Sequence, residues 1–315
     1  MLSVEIYTQV MTVSARAREF EQVRPHLVAV AYRLTGTMAD AEDVVQDAWL
    51  RWEAHRETVI DDLAAWLTTV VSRLSLDRLR SAAHRRETYV GQWLPEPVVT
   101  ALDGSDPLAA VVAGEDARFA AMVVLEQLTP DQRVAFVLHD GFAMPFSEIA
   151  EVLGVTPAAA RQLASRARRT VAGAPKPADE HAEVVGKLLA AMASGDVVAV
   201  VELLHPEVTF TGDANRRAPT APQVIRGRDK VARFLFGLAR RYGPRLFEVA
   251  APGLVNGELG MVTAGAAAND EWPAIAPRIQ AMTVSAGRVV AIYDIANPDK
   301  FTGSPLGRDM VTGLG

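Results

Sequence analysis

The chain contains no cysteine, which excludes disulfides, a thiolate nucleophile and cysteine-ligated zinc. No apolar run approaches the ~20 residues that a membrane-spanning helix needs. The N-terminal MLSVEIYTQVMTVSARARE mixes acids and bases around short apolar runs and has no cleavable signal layout. A soluble cytoplasmic protein without a membrane partner is expected. An excess of positive charge is also missing: the net charge of −6 argues against indiscriminate coating of nucleic acid. It leaves sequence-specific binding open, because what matters there is where the basic residues cluster. Half the residues are hydrophobic and 22% are charged, a globular composition. At 315 residues, two or three domains are expected.

The strongest local signal is PFSEIAEVLGVTPAAARQLASRARRTV, residues 145–171. A short helix from about Ser147 to Leu153 carries Ile149, Ala150 and Leu153 as its apolar stripe. Gly154 can take the positive φ of a turn. Thr156 and Pro157 then supply a cap and a first-position proline for a second helix. That helix holds Arg161, Arg166, Arg168 and Arg169 and no acid. Short apolar helix, glycine turn and capped basic helix together predict a helix-turn-helix whose second helix enters a DNA groove.

The N-terminal part reads as all α. A helix is predicted from Phe20 to Leu34, closed by Gly36. A second follows Thr37, with Asp40 completing a capping-box-like pair and with Val44, Val45, Ala48, Trp49 and Trp52 on its buried side. A third runs from Leu63 to about Arg86, with Trp66 in the core. Residues 87–115 hold Gly91, Pro95, Pro97, Gly104 and Pro107, which forbid a long helix and predict a linker. Tyr89, Val90, Trp93 and Leu94 make that linker too apolar for a free spacer, so it should dock on something. Helices are predicted at 116–128 and Asp131–His139, and GAPKPADE (173–180) reads as a hinge. Beyond it, two helices, the second ending at Pro206, a short strand VTFTG, and a helix entered through Gly227 precede a strand meander turning at Asn256-Gly257 and Ala286-Gly287. Helices followed by an antiparallel sheet suggest a cone-shaped α+β domain.

These motifs, in this order, resemble an extracytoplasmic-function (ECF) sigma factor with a fused C-terminal SnoaL-like domain. YRLTGTMADAEDVVQDAWLRW is similar to the sigma-2 helix that docks on the polymerase clamp. WLTTVVSRLSLDRLR is similar to the helix that opens the −10 element, and LTPDQRVAFVLHDGFAMPFSEIAEVLGVTPAAARQLASRARR to the sigma-4 domain that reads the −35 element. The linker YVGQWLPEP and the terminal NPDKF resemble motifs of the subgroup carrying the fused domain. The resemblance implies a sigma-2 domain at 1–88, a linker at 89–115, a sigma-4 helix-turn-helix domain at 116–174, a cone-shaped SnoaL-like (NTF2-like) domain at 178–301 and a tail at 302–315. It implies core RNA polymerase and promoter DNA as partners, and no cofactor.

Residue by residue, Asp40, Glu42, Asp43, Gln46 and Asp47 form an acidic face suited to a basic protein partner and repellent to DNA. The resemblance makes Arg73, Arg78, Arg80, His84, Arg85 and Arg86 the expected −10 surface, with Arg73 standing where family members often have Asn. The loop 54–62 is the candidate for capturing a flipped base. Thr156, Arg161, Gln162, Ser165, Arg166, Arg168 and Arg169 form the −35 surface, with Arg161, Gln162 and Ser165 toward base edges and the later arginines toward phosphates. Tyr89, Trp93, Leu94 and Pro95 of the linker and Asn297, Pro298 and Lys300 near the end are expected to meet.

SnoaL-like folds include enzymes that use carboxylates or histidine as bases, and His205, Asp213, Glu271 and Asp294 are the candidates. Their spacing shows no convergence. His205-Pro206 reads as a helix end, Asp213 as a turn residue, and ANRRA after Asp213 departs from the subgroup's glycine-rich segment. A regulatory domain is expected rather than an enzyme, raised to high effective concentration at the sigma core, with room in its cone for a small-molecule ligand. The alternatives are a ligand-responsive one-component DNA-binding regulator and an enzyme with a DNA-tethering module.

Overall fold

The structure is a computed structural model that describes residues 2–55, 60–86, 89–103, 109, 111–172 and 178–301, with side chains described except at 2–14, 82–86 and 115. The first helix, α1, spans Leu2–Thr35 and so begins well before the predicted Phe20. Nothing ahead of Phe20 is a proline or glycine; the apolar stripe starts late, the helix does not. Pro25 lies inside α1 but on its exposed side, where water can serve the carbonyl that proline leaves unpaired. Gly36 (φ 81°) turns the chain. Thr37 caps α2 (Met38–Ala54) by accepting the Asp40 amide at 3.1 Å. α2 buries Val44, Val45, Ala48 and Trp52 and half-buries Trp49. α3 (Leu63–Arg86) follows; Trp66 is half-buried on the core, and residues 56–59 of the 54–62 loop lie outside the described residues.

The linker corrects the sequence reading. Residues 94–100 are buried, and Val99–Thr100 form strand β1. After a 3-10 turn at Glu115–Ala117 come α4 (Phe119–Leu125) and α5 (Pro130–Phe136). α5 opens with a full capping box between Thr129 and Gln132 and closes in a π-turn, Val137–Gly141. The helix-turn-helix is α6 (Phe146–Leu153), Gly154 at φ 69°, and α7 (Pro157–Val171), with Thr156 accepting the Ala159 amide at 3.2 Å. One apolar core runs through α1–α3 and α4–α7, with Val98, Val111 and Val112 of the linker in it.

The C-terminal unit begins with α8 (His181–Ser194) and α9 (Val197–Leu203). Leu204 starts strand β2 (Leu204–Asp213), so His205 and Pro206 open a strand and do not end a helix. Pro206 falls where the register of β2 against β7 shifts, an irregularity that tolerates a residue without an amide proton. β3 (Ile225–Arg226), α10 (Arg228–Tyr242) and a one-turn helix α11 (Arg245–Glu248), predicted as strand, lead to β4 (Ala250–Val255), β5 (Glu258–Thr263), β6 (Arg278–Ser285) and β7 (Arg288–Ile295). The sheet order is β1-β4-β5-β6-β7-β2-β3. It is mixed, not antiparallel as predicted, because β2 lies parallel to β7. One of its two edge strands, β1, comes from the linker and pairs antiparallel with β4. One face of the sheet packs through Phe210, Met282 and Ile292 on Val185, Val200 and Leu235 of α8–α10. The other packs through Ile279, Ala281 and Ile295 on Leu94, Val99, Phe119 and Phe301.

Candidate nucleic-acid interface

α7 exposes the side that the helix-turn-helix presents outward: Arg161, Gln162, Arg166, Arg168 and Arg169 are exposed and Ser165 is half-buried. Ala160, Ala164 and Ala167 are buried, which sets that orientation. The Arg161 guanidinium lies 5.5 Å from the centroid of the Phe146 ring, a contact that favours one placement of a long side chain. Arg168 Nε is 2.7 Å from Asp140 Oδ1, so its charge is already partnered.

On α3 the described basic residues Arg73, Arg78 and Arg80 are engaged within the chain. Arg78 reaches Asp40 at 2.7 Å and Asp43 at 3.2 Å. Burial alone would lower the Arg78 pKa, and the two carboxylates outweigh it and raise it. Arg80 pairs with Asp131 at 3.0 Å, and Arg73 Nη2 donates to the Glu151 carbonyl on α6 at 3.3 Å. His84, Arg85 and Arg86 lie outside the described side chains. On the acidic face, Asp40 and Asp43 share Arg78, Glu42 pairs with Arg24, and Gln46 and Asp47 are exposed. The α3 surface therefore rests against the helix-turn-helix unit.

Asp213 and Asp294 stand on adjacent strands but serve opposite faces. Gly212 pairs with Asp294 and Asp213 with Ile295 in register, and successive side chains alternate. Asp294 points to the α8–α10 side, where it accepts from Arg278 at 3.2 Å, Gln280 at 3.1 Å and Thr220 at 2.6 Å. Gly212 leaves the space that Thr220 occupies, since a Cβ there would collide with it. Asp213 ends β2 fully buried and is not the turn residue expected. It accepts from the Leu94 amide at 2.7 Å, from Lys300 at 2.6 Å and from the Tyr89 hydroxyl. Lys300 Nζ also donates to the Leu94 carbonyl and sits 3.5 Å from the Trp93 ring centroid. Asn297 Nδ2 donates to the Tyr89 hydroxyl at 3.0 Å. Pro95 is buried beside Leu94, and Pro298 starts the 3-10 turn that delivers Lys300. His205 and Glu271 lie elsewhere, the former bonded to the Glu207 amide at 3.2 Å and the latter exposed near Asn269. The four candidate bases do not converge.

Sequence reasoning missed the buried arginines that join the helical units. Arg33, 4% exposed, pairs with Asp116 at 2.8 Å and donates to the carbonyls of Val111 and Ala113. Arg133, 1% exposed, donates to the Arg33 carbonyl at 2.9 Å and to Glu126 at 2.7 Å. Their signal was a lone arginine inside an apolar helical run, in VAVAYRLT and in QRVAFVL.

Comparison with known proteins agrees with this layout. Residues 20–85 match Sigma-70 region 2, residues 118–171 match Sigma-70, region 4, and residues 185–304 match the SnoaL-like domain. The ECF RNA polymerase sigma factor SigJ of Mycobacterium tuberculosis is 68% identical over 293 residues, which cover 91% of this chain and 94% of SigJ. The chain belongs to the ECF RNA polymerase sigma factors. Probable ECF RNA polymerase sigma factor SigI of the same species is 36% identical over 219 residues, 66% of this chain and 71% of SigI. The crystal structure of M. tuberculosis SigJ superposes on this sigma factor with a TM-score of 0.83 at 66% identity, covering 92% of this chain and 99% of that one. This sigma factor is thus a region 2 unit (α1–α3), a region 4 unit (α4–α7) and a SnoaL-like unit, the last completed by a strand from the linker. Among its described residues no helix is long and apolar enough to cross a membrane, and no group of three or more His, Asp or Glu is placed to hold a metal ion.

Proposed function

We propose that this sigma factor carries core RNA polymerase to promoters by reading the −35 element with α7 and the −10 element with α3, and that its SnoaL-like unit holds it in a closed arrangement. In this reading Arg161, Gln162 and Ser165 address base edges, Thr156 caps the reading helix, and Arg166, Arg168 and Arg169 address phosphates. Arg73, Arg78, Arg80, His84, Arg85 and Arg86 serve the −10 side. Asp40, Glu42, Asp43, Gln46 and Asp47 face the polymerase. The linker dock of Tyr89, Trp93, Leu94 and Pro95 against Asn297, Pro298, Lys300 and Asp213 ties the SnoaL-like unit to the sigma core, and that unit acts as a regulator in the cytoplasm, without catalysis.

The observation that carries the closed arrangement is the Arg73–Glu151 contact, which places α3 against α6. The −10 and −35 elements lie about 25 base pairs apart, roughly 85 Å at 3.4 Å per pair. Two helical units of this size in contact cannot span that distance. Both elements can be read only after the units separate, so whatever joins them restrains transcription. A cavity of about 410 Å3 between Trp93, Val123, Thr211 and Tyr293 offers a small molecule simultaneous contact with linker, region 4 unit and sheet; thermal shifts against a metabolite library test it. The decisive test of the main reading is run-off transcription with purified chain and core polymerase. Promoter-specific product is expected, and Trp93→Ala should change its yield without abolishing polymerase binding. Absence of any promoter-specific product would overturn the reading.

A further inference from the structure

One side chain of the SnoaL-like unit bonds to the linker, to the region 2 unit and to the turn that leads into the region 4 unit. Asn256 sits at the tip of the β4–β5 hairpin, at φ 51° and followed by Gly257 at φ 80°, and it is fully buried. Its Oδ1 accepts the Val98 amide of the linker at 3.0 Å. Its Nδ2 donates to the Tyr32 hydroxyl of the region 2 unit at 2.8 Å and to the Ala117 carbonyl, at the entry to the region 4 unit, at 2.7 Å. The orientation of the amide is fixed by its backbone partners. An N–H must meet Oδ1 and a carbonyl must meet Nδ2, and a flipped amide would oppose like groups at both.

The Tyr32 hydroxyl in turn donates to the Glu96 carbonyl at 2.8 Å, and the Glu96 side chain accepts the Met38 amide at 2.9 Å. The chain of bonds therefore runs from the hairpin through Tyr32 into the linker and the start of α2. Both Nδ2 hydrogens are used, one on the region 2 unit and one on the 3-10 turn that leads directly into α4, and Tyr32 is fully buried too.

An Asn-Gly hairpin by itself asks only for a residue that accepts a positive φ, which aspartate also does. The donor pair is an additional requirement, set by the interface. We propose that the Asn256 carboxamide is the positioning residue that pins the region 2 and region 4 units to the SnoaL-like sheet, and that opening requires its release from Tyr32 or Ala117. This rests on the closed-arrangement reading above, but its test uses neither polymerase nor promoter, so the two fail separately. Once the helical units part, Asn256 cannot keep both donors engaged. The hairpin tip is then the point where separation of the reading units is coupled to the C-terminal unit.

Asn256→Asp keeps the shape and the turn but places an acceptor against the Tyr32 oxygen and the Ala117 carbonyl. The full chain has no cysteine, so Leu50→Cys on α2 and Ser147→Cys on α6, both exposed, take a donor and an acceptor dye cleanly. Energy transfer between them reads the separation of the helical units. Asn256→Asp is expected to raise the low-transfer population about tenfold, the scale of losing buried hydrogen bonds. Tyr32→Phe is expected to raise it as well, and the double variant by less than the product of the two, because they break one shared bond. An unchanged transfer distribution in Asn256→Asp, full multiplication in the double variant, or loss of the folded α+β signal without an open species would overturn the proposal.

Discussion

Lys300 Nζ lies 2.6 Å from Asp213 Oδ2, with side chains 4% and 0% exposed. A charge pair this far from water is held by what surrounds it, here the Leu94 amide, the Tyr89 hydroxyl and the Trp93 ring. It crosses from the end of β2 to the turn after β7, and Tyr89, Trp93 and Leu94 of the linker gather around it. The pair is thus the fastening of the linker to the sheet.

Lys300→Met should strand the Asp213 carboxylate without a cation. Leaving one partner of a buried pair uncompensated costs about 3–5 kcal/mol. Urea unfolding should show that loss, and Lys300→Met/Asp213→Asn should recover part of it because the buried charge is gone. A loss under about 1 kcal/mol, the scale of an exposed pair, would contradict the burial.

Tyr89 should titrate late. Burial, and then the Asp213 carboxylate that its hydroxyl faces, raise its pKa from the ordinary 10.0. A phenol whose folded pKa is raised contributes stability that is fully present below pH 10 and is lost as pH rises through the folded value. Ultraviolet titration of the wild type should therefore show Tyr89 missing from the ordinary transition, together with Tyr32 and Tyr293, which burial also raises. In Asp213→Asn it should ionise at lower pH than in the wild type, and an unshifted curve would separate Tyr89 from Asp213.

Arg133→Met should loosen the joint between the region 2 and region 4 units. Arg133 bridges the Arg33 carbonyl and Glu126 with almost no exposure. Its removal takes a charge-assisted hydrogen bond from Glu126 and another from the Arg33 carbonyl, at a cost of about 1.5–3 kcal/mol for each bond to a charged group. Arg133→Lys should rescue little, since an ammonium lacks the planar fork that meets both acceptors at once. Thermal unfolding of the two variants checks the order.

What the sequence made legible was local. The helix-turn-helix could be read to within a residue because Gly154, Thr156 and Pro157 act on their own neighbours, and the acidic and basic faces of α2 and α7 follow helical spacing. What escaped depends on contacts between distant segments. Val99 and Thr100 pair with β4 across some 155 positions, and two residues carry no strand signature of their own. Asp213 was expected in a turn, and nothing local to it says that Lys300 arrives from 87 positions away. The parallel β2–β7 pairing likewise depends on which edge the chain returns to. Asn256 shows both sides: its turn was readable from Asn-Gly, its partners Tyr32 and Ala117 were not.

Arg161→Ala and Arg169→Ala should separate base reading from phosphate anchoring. Both are exposed on α7, but Arg161 lies toward the N-terminal half, where a recognition helix meets base edges, and rests on Phe146. Arg169 stands in the last turn, beside Arg168, whose charge Asp140 already partners. Loss of Arg161 should cost about 1–3 kcal/mol on one preferred base pair of the −35 element and relax discrimination there. Loss of Arg169 should weaken all sequences alike and lower the salt slope of binding by about 1. Competition binding against single-base variants of the element, at two salt concentrations, reads both quantities. Equal losses across sequences for both variants would remove the division between them.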